Sequence, residues 1–387
     1  MSVTAAPGFV ASGCHAGIKR RKHDMALLAT DDGKPVTCAA VFTQNKFVAP
    51  PVTLDRARLA ASGGKAAAVV VNSGNANAGT GAAGLADAEA MSAAAAAALG
   101  IDKAHVLVSS TGIIGNPLPM DVILPAIPKL AKKLSVEGGA DAAKGILTTD
   151  HVQKEAVVRG STFTIGGMAK GCGMIAPNMA TMLAYLTTDA DVSRDDLQRI
   201  LKDAADRSFN TLNVDGATST NDTVILLANG RAGAPNLAEF ADAVHKVCEE
   251  LTLKMAKDAE GMTKMVMLRV TGAVSDAEAR AAAKNIAENN LVKCSWYGSD
   301  PYWGRLLGAA GSAGVAFNSD LSAVAYGGIT VSRAGIEIEH NRDAVAKHMK
   351  NEKIEIEVNL GAGGAGTAQV IGIDLGPGYI KENSVTS

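Results

Sequence analysis

Apolar residues along the chain occur in two recurring patterns, short continuous runs and longer stretches with helical spacing, and both patterns are found throughout the sequence. Short runs predict strands, whereas apolar positions three or four residues apart predict helices. Strands are predicted over Val36–Phe42, Ala66–Val71, His105–Ser110, Thr181–Thr188, Thr223–Ala228, Lys264–Val270, Ile354–Val358 and Ala368–Ile373. Helices are predicted over Leu85–Leu99, Arg194–Arg207, Leu237–Lys257, Asp276–Asn289 and Arg342–Met349. The mixture predicts an α/β fold.

Two of the predicted helices have clear start signals. Ser193 precedes Asp196 by three residues, and Ser275 precedes Glu278 by the same spacing. Both pairs resemble capping boxes, in which a serine side chain and an acidic side chain three residues later satisfy the first backbone amides of a helix. We therefore expect helices to begin at these two positions.

The chain is divided into two predicted domains near residues 271–275, where a predicted strand is followed by a capped helix. We expect a larger domain over 1–272 and a smaller α/β domain over 273–387. Within the smaller domain, the glycine-rich stretch 361–366 (GAGGAG) separates two strand-like runs. This arrangement predicts a hairpin loop.

Composition narrows the class of protein. The chain has 387 residues, of which 47% are hydrophobic and 20% charged, with a net charge of -2. It is long enough for a sizeable core. Lysine and arginine are spread out and are not interleaved with aromatic residues, so we expect no nucleic-acid partner. The Ala-rich run Ala86–Leu99 is interrupted by Asp87 and Glu89, and no stretch reaches the ~20 apolar residues of a membrane span. The first 24 residues lack the apolar region of a signal peptide.

The five cysteines are scattered and form no CxxC pair: Cys14, Cys38, Cys172, Cys248 and Cys294. A zinc site or a disulfide framework needs closer or paired spacing. We therefore expect free thiols, buried or partly buried, in a protein of the reducing cytoplasm.

The stretch 168–190 (MAKGCGMIAPNMATMLAYLTTDA) holds the most informative candidate chemistry. A loop with Gly171 and Gly173 leads to Ala180, and Thr181 then begins an apolar run. A threonine hydroxyl is a weak nucleophile, but a cut before it frees an α-amine, with a pKa of roughly 7.7–8.0, that can act as its base. On residue type alone, however, a threonine at the start of a strand is ordinarily there for its β propensity.

A resemblance to a known family favours the interpretation of Thr181 as a nucleophile. The stretch 170–183 (KGCGMIAPNMATML) resembles the autocleavage and nucleophile signature of the glutamate N-acetyltransferase (ornithine acetyltransferase) family. Further blocks that resemble the family follow its order along nearly the whole chain: GFVASGCHAGIK, AAVFTQNKFVAPPV, VVNSGNANAGTG, SSTGIIG, LTTDH, DGATSTNDTV, DAEGMTK, LVKCSWYGSDPYWGR and the tail YIKENSVTS. No single block is specific, but the set in this order is.

The resemblance implies a fold and a reaction. It implies a layered αββα-type sandwich of the kind shared with self-processing aminopeptidases, with the smaller C-terminal α/β domain beside it. It implies a cut between Ala180 and Thr181 that leaves fragments 1–180 and 181–387 associated, as a heterotetramer of two copies of each. Thr181 then moves acetyl from N-acetylornithine to glutamate by a ping-pong route. No metal or organic cofactor is implied, although acetyl-CoA is a possible co-substrate.

The resemblance also implies roles for individual residues. Thr111 and Gly112 correspond to the pair that holds the oxyanion, which suits a hydroxyl and an amide that glycine leaves accessible. Without the family, the better interpretation of SSTGIIG is a turn. The substrate-binding residues implied by the resemblance are Thr148, Lys170, Thr181, Glu260, Asn383 and Ser387. Lys170 is the expected partner of the substrate carboxylate, and Glu260 is expected to meet its cationic end or to relay protons.

The sequence departs from the family pattern in several places. Cys172 stands where serine is usual, His151 where threonine is frequent, and Tyr302 where asparagine is usual. Ala259 and Met262 replace the usual glycine and alanine. The tail is one residue shorter after Asn383 than the common ending, which weakens the assignment of Ser387. We expect these changes to affect substrate preference more than chemistry.

Three other interpretations remain. Gly79–Gly84 matches the GxGxxG pattern of dinucleotide-binding folds, but seven residues (72–78) separate it from the preceding run, and Asp102 precedes a strand instead of ending one. A second alternative is an N-terminal-nucleophile aminopeptidase or amidase, in which water in place of an amine attacks the acyl-enzyme. The third is a binding protein without activity, which would have no need for Thr181, Thr111, Gly112 and Lys170 together.

Overall fold

Strands and helices alternate along the chain in the computed structural model, which describes residues 2–176 and 182–385. The strands are β1 Phe9–Cys14, β2 Met25–Thr30, β3 Val36–Phe42, β4 Lys65–Ala66, β5 Ala68–Asn75, β6 Val106–Ile113, β7 Lys154–Arg159, β8 Thr164–Lys170, β9 Leu183–Ala190, β10 Leu212–Asn213, β11 Thr223–Gly233, β12 Met265–Ala273, β13 Ala323–Tyr326, β14 Ile329–Arg333, β15 Ile336–Glu337, β16 Lys353–Asn359 and β17 Gly366–Ile373. The helices are α1 Pro50–Ala61, α2 Gly81–Leu99, α3 Met120–Lys132, α4 Gly139–Gly145, α5 Arg194–Arg207, α6 Leu237–Lys257, α7 Asp276–Glu288, α8 Asn290–Tyr297, α9 Trp303–Gly311, α10 Arg342–Met349 and α11 Pro377–Asn383.

Two sheets form the N-terminal part of the molecule. One has four strands in the order β1-β2-β5-β6, and the other has six in the order β4-β3-β11-β9-β8-β7. Their inner faces share one core, in which Leu28 and Val69 of the first sheet join Tyr185 and Ile225 of the second. Helices α1, α2 and α3 cover the outer face of the four-stranded sheet, and α5 and α6 cover that of the six-stranded sheet. The predicted αββα-type sandwich is confirmed.

The two predicted helix starts are also confirmed. The Ser193 hydroxyl accepts the Asp196 amide at 3.2 Å, and the Ser275 hydroxyl accepts the Glu278 amide at 3.3 Å. Each side chain satisfies a first-turn amide that has no partner within the helix.

The C-terminal part is a third sheet of seven strands, in the order β10-β17-β12-β16-β13-β14-β15. It has its own core against α7, α8 and α9, with Trp296 and Ile286 fully buried. Strand β10 comes from the middle of the chain and pairs in parallel with β17, which connects the two parts. The predicted division at 272/273 stays a prediction, although β12 before it already belongs to this sheet.

The hairpin predicted for residues 361–366 is wrong. Strand β12 lies between β16 and β17, parallel to the first and antiparallel to the second. The glycine-rich stretch therefore crosses the end of β12. An added Cβ on Gly364 would lie 2.2 Å from the Ala273 carbonyl oxygen, so the composition reflects close passage over another strand.

The cysteines are free, as predicted, but one of them was misplaced: Cys294 is exposed, whereas the other four are buried or partly buried. It lies on α8, where the neighbouring positions Val292, Ser295 and Trp296 face the core. Among the described residues, no helix combines the length and apolar character needed to cross a membrane.

Candidate active site

Thr111 and Gly112 lie near the end of β6, where that strand runs beside β5. Gly112 has a φ of +135°, and an added Cβ would lie 2.3 Å from the carbonyl carbon of Gly74 on β5. Only glycine fits so close to the neighbouring strand. Thr111 is buried, whereas Gly112 is exposed. The pair therefore brings a hydroxyl and an accessible backbone amide to one point, which are the donors that an oxyanion requires.

Lys170 is the last residue of β8 and extends towards this pair. Its side chain is 2% exposed, and Nζ lies 3.4 Å from Thr111 Oγ1. A lysine buried to this extent needs an opposite charge nearby. Asp150 supplies that charge. Burial favours a raised pKa for Asp150, but the charges of Lys170 and Lys154 outweigh it and hold this pKa well below its usual range.

Asp150 also fixes the backbone on both sides of the site. The Thr148 amide donates to Oδ2 at 2.9 Å, and the Gly171 amide donates to Oδ1 at 2.8 Å. The Lys154 ammonium donates to Oδ1 at 2.7 Å, and both of these charged side chains are fully buried. One carboxylate thus joins the segment with Thr148 to the segment with Lys170.

Glu260 forms the second half of the cluster. Its side chain is buried, with Oε1 accepting the Thr149 hydroxyl at 2.7 Å and Oε2 accepting the Asn383 amide at 2.8 Å. The Cys172 thiol lies 2.9 Å from Thr149 Oγ1 and 3.9 Å from Glu260 Oε1. Burial, with Asp150 adding to it, raises the pKa of Cys172 to about 12, so this thiol stays protonated and can donate. Gly173 leaves room for the carboxylate, because an added Cβ would lie 2.2 Å from Oε2.

Helix α11 delivers Asn383 to this cluster. The helix docks where Gly261 allows close approach, since an added Cβ there would lie 2.0 Å from the Tyr379 amide nitrogen. The Tyr379 hydroxyl donates to Asp215 Oδ2 at 3.1 Å, which fixes the helix on a second side. The C-terminal segment, often frayed in proteins, is therefore tied to the site as far as Asn383.

The two halves form one cluster. Thr148, Thr149 and Asp150 are consecutive, and Lys170 and Cys172 are separated by one residue. The structure thus brings together Thr111, Gly112, Thr148, Lys170, Glu260 and Asn383, whereas their roles in catalysis and substrate binding stay predictions. It places a cation at one end and a carboxylate at the other, an arrangement that suits a small molecule with charges of both signs.

Three of the predicted residues lie outside the described part of the chain: Ala180, Thr181 and Ser387. The described chain resumes at Met182, whose amide donates to Asp222 Oδ1 at 3.0 Å. Asp222 is fully buried, and burial raises its pKa to about 8.

Sequence reasoning missed Thr149, Asp150, Asp215 and Asp222. All four stood inside the blocks LTTDH and DGATSTNDTV, but no role was assigned to them. For Asp222 the available signal was a carboxylate that follows small polar residues and directly precedes the predicted strand Thr223–Ala228, because such a carboxylate can accept backbone amides.

Two of the departures from the family pattern are exposed. Tyr302 is 52% exposed, and the Arg305 guanidinium carbon lies 5.4 Å from its ring centroid. His151 is largely exposed, with Nδ1 3.4 Å from Asp258 Oδ1. Cys172, by contrast, contacts Glu260 directly.

The GxGxxG stretch has a packing explanation. An added Cβ on Gly84 would lie 1.9 Å from the Thr80 hydroxyl oxygen and 2.4 Å from Asn77 Oδ1. These side chains bond each other at 2.8 Å, so the glycine makes room for them within the turn before α2. Within 2–176 and 182–385, no group of three His, Cys, Asp or Glu side chains is placed to hold a metal ion.

Comparison with known proteins places the chain in a family. The model of the ArgJ family matches residues 10–386. The arginine biosynthesis bifunctional protein ArgJ of Streptomyces avermitilis is 44% identical, with 100% of both chains covered. That of Symbiobacterium thermophilum is 45% identical, with 98% of this chain and 97% of the relative covered. The solved structure of the Mycobacterium tuberculosis ornithine acetyltransferase, complexed with ornithine, is 40% identical and covers 46% of this chain and 94% of its own, with a TM-score of 0.44.

An αββα sandwich with a buried cluster of Lys170, Asp150 and Glu260 beside a Thr–Gly pair has the features of an enzyme that binds a small charged molecule. The family match specifies the enzyme family. The chain belongs to the ArgJ family of arginine biosynthesis enzymes.

Proposed function

We propose that this protein transfers acetyl from N-acetylornithine to glutamate, after cutting itself between Ala180 and Thr181, with Thr181 as the nucleophile. One observation is the main support: Lys170 and Glu260 are buried in one cluster with Thr111 and Gly112, at the end of the sandwich where the chain resumes at Met182. The acetyl donor and acceptor both carry carboxylates, which fits the charge of Lys170.

Self-cleavage is the first reaction. The Thr181 hydroxyl oxygen attacks the Ala180 carbonyl carbon, the C–N bond breaks, and the hydroxyl proton passes to the new amine. Water then hydrolyses the ester, which leaves a carboxylate on Ala180 and a free hydroxyl on Thr181. Thr111 and Gly112 stabilise the negative charge on the carbonyl oxygen in each step.

Acetyl transfer follows the same logic in two halves. The Thr181 hydroxyl attacks the acetyl carbonyl of N-acetylornithine, and its proton is carried by the α-amine to the departing ornithine amine. The glutamate amine then attacks the acetyl ester and the bond between the acetyl carbon and the Thr181 oxygen breaks. The α-amine carries the proton from the attacking amine to that oxygen, so that N-acetylglutamate leaves and the free hydroxyl is restored. Ornithine leaves before glutamate reacts with the acetylated Thr181, so the kinetics are ping-pong.

Substrate binding is assigned to opposite ends of the cluster. Lys170 binds the α-carboxylate as a buried cation near Thr111. Glu260 faces the cationic end of ornithine, and Thr149 and Asn383 hold both of its oxygens in place. Thr148 adds a hydroxyl beside Asp150 at 3.3 Å.

The fragments 1–180 and 181–387 stay together because they share one sheet. In the order β4-β3-β11-β9-β8-β7, the two central strands come from 181–387 and the four outer strands from 1–180. Strand β9 pairs with β8 over six residues and is buried along its whole length. We further propose two copies of each fragment in the assembly, a state that mass measurement of the native protein tests.

The test of self-cleavage is a denaturing gel of freshly purified protein. Wild type should run as two fragments, and Thr181→Ala as one chain. Thr188→Ala is a matched control, because Thr188 is a buried threonine on β9 and should leave the cut unaffected. An uncut wild-type chain would contradict the proposed mechanism.

The test of transfer is acetyl labelling. Incubation with N-acetylornithine and no glutamate should add one acetyl mass to the 181–387 fragment. Label on 1–180 would show that the nucleophile is another residue. Release of acetate without glutamate, at the same rate as with it, would favour the aminopeptidase or amidase alternative, because water would then be the acceptor.

Acetyl-CoA is proposed as a second acetyl donor. The matched relatives are named bifunctional, which supports a second activity. Formation of N-acetylglutamate from acetyl-CoA and glutamate alone tests it, and absence of product limits this chain to N-acetylornithine.

A further inference from the structure

The loop of residues 214–222 connects β10 to β11 and has a carboxylate near each end, Asp215 partly buried and Asp222 fully buried. Asp215 contacts the chain before residue 177, and Asp222 contacts the chain after residue 181. The peptide bond that we propose to be cut lies between these two contacts. The block DGATSTNDTV, which has no role in the proposed chemistry, contains both carboxylates.

The upstream contact is made of four hydrogen bonds, one of them from the Asp215 amide to the Ile175 carbonyl at 3.3 Å. Asp215 accepts the Met174 amide at 2.6 Å and the Ile175 amide at 3.0 Å, and the Val214 amide donates to the Ile175 carbonyl at 2.8 Å. Met174 has a φ of +56°, a left-handed conformation that is uncommon for a residue with a side chain. A residue in such a conformation needs surroundings that hold it there. The Asp215 carboxylate supplies them.

The downstream contact consists of two hydrogen bonds between described residues. Asp222 Oδ1 accepts the Met182 amide at 3.0 Å, and the Thr223 amide donates to the Met182 carbonyl at 3.2 Å. Asp222 Oδ2 is buried and has no hydrogen-bond partner among the described residues. Met182 is covalently bonded to Thr181, so the contact restrains the backbone that bears the proposed nucleophile.

The same loop is tied to the strand with the oxyanion pair. The Asn221 side-chain amide donates to the Ser110 carbonyl at 3.0 Å and to the Ala76 carbonyl at 2.6 Å. Ser110 immediately precedes Thr111. The loop therefore holds three parts in one register: the chain before the cut, the chain after it, and the strand that supplies Thr111.

We propose that Asp215 and Asp222 are positioning residues, which align the chain on both sides of the Ala180–Thr181 bond against Thr111. The inference rests on the proposed self-cleavage. The two residues have different duties. After the cut, the Asp215 contact lies on the fragment without the nucleophile, whereas the Asp222 contact still restrains the fragment that begins with Thr181. Lys170 keeps its own anchor, since Asp150 holds the Gly171 amide.

The experiment compares four full-chain variants with wild type. Asp215→Ala and Asp222→Ala remove an acceptor, and Asp222→Asn keeps one in the same place. Asp189→Ala is the matched control: Asp189 is a buried acceptor of one backbone amide, that of Thr164 at 2.7 Å, about 23 Å further along β9. For each, the uncut fraction is followed with time after synthesis, kcat and KM are measured on the cut fraction, and the thermal midpoint is recorded.

The expected results separate the two roles. Each alanine variant should slow cleavage about 10²-fold, because a displacement of about 1 Å is enough for such a loss. In the cut fraction, Asp222→Ala should lower kcat more than Asp215→Ala does, with KM little changed. Asp215→Ala should raise KM as well, because it also removes the acceptor of the Tyr379 hydroxyl and so loosens the helix that carries Asn383. Asp222→Asn should recover most of the cleavage rate and of kcat, since its amide oxygen also accepts the Met182 amide. Asp189→Ala should cut at the wild-type rate.

Several outcomes overturn the inference. Wild-type cleavage rates in both alanine variants would do so while leaving the proposed function intact. An Asp222→Asn variant as slow as Asp222→Ala, with an unchanged thermal midpoint, would show that acceptance of the Met182 amide is not the reason. Slow cleavage in Asp189→Ala would assign the effect to general loss of stability. An uncut wild type would instead contradict the proposed function itself.

Discussion

Strand β9 of the sandwich and strand β16 of the C-terminal sheet are of similar length, with eight and seven residues. All eight residues of β9 are buried, including Thr187, Thr188 and Asp189. In β16, exposed and buried positions alternate, so that Glu355 and Glu357 face solvent. Both strands are central in their sheets, but helices or a second sheet cover β9 on both faces, whereas one face of β16 is open.

The comparison shows where a polar side chain needs a partner within the protein. In the sandwich a buried charge needs a specific partner, and Lys154 has two, Asp150 at 2.7 Å and Asp258 at 2.5 Å. In the C-terminal sheet, water solvates the charges on β16. Polar residues of the sandwich should therefore be sensitive to substitution, and those on the open face of β16 should not.

The largest effect is expected for Lys154→Met. Removal of the ammonium leaves Asp150 and Asp258 buried without their shared cation. The free energy of unfolding should fall by about 3–5 kcal/mol, the usual cost of breaking a buried ion pair from one side. Urea unfolding followed by circular dichroism measures this. A decrease in the free energy of unfolding below about 1 kcal/mol, which is typical of exposed ion pairs, would show that the two regions do not differ in this respect.

Thr111→Val tests the contrast through activity. The substitution keeps the shape but removes the hydroxyl proposed to stabilise the oxyanion, so kcat should fall about 10²–10³-fold. Thr271→Val in β12 is the matched control, because that hydroxyl has no hydrogen-bond partner among the described residues. Steady-state kinetics of both variants give the comparison. Equal activity of the Thr111→Val and Thr271→Val variants would show that Thr111 has only a structural role in a turn.

The pH dependence of stability gives a third comparison. Burial raises the pKa of Asp222 to about 8, from an ordinary value of 3.8. Between these values the folded state binds more protons at this site than the unfolded state, so its contribution to stability falls as pH rises. Relative to Asp222→Asn, which does not titrate, wild type should lose stability from pH 5 to pH 8. A constant difference between the two proteins would show that Asp222 is not held in its neutral form.

The smallest effect is expected for Glu357→Gln on the open face of β16. Its side chain is solvated, so the free energy of unfolding should change by less than about 0.5 kcal/mol. The same urea experiment measures it. A larger loss would show that the open face is in fact covered, for example by a second copy of the chain.

The sequence predicted elements well where local patterns decide them. Strand β3 and helix α5 have the predicted bounds. It missed β8, whose residues TIGGMAK include two glycines, because the reason for them is distant: an added Cβ on Gly166 would lie 2.3 Å from the Ser2 carbonyl oxygen. It also missed α3, where Pro125 and Pro128 lie inside a helix that packing against the four-stranded sheet stabilises. Tertiary contacts of this kind leave no local pattern.

For the site, the resemblance to a family identified residues that are far apart in the chain. Glu260 and Asn383 are 123 residues apart, yet their side chains bond at 2.8 Å. Thr149 was missed because its importance comes from Glu260, which is 111 residues away. Neither spacing nor residue type indicates such pairs.

The interleaving of strands in the six-stranded sheet has a consequence for how the protein is made. As a single chain, the four outer strands and the two central strands are tethered, and pairing them is an intramolecular event. If the chain is cut as we propose, unfolding releases two polypeptides, and recovery of the sheet requires them to meet again. Refolding then depends on concentration and competes with aggregation of exposed β9 and β11. The lifetime of such a cut protein would then be set by the rate at which it unfolds.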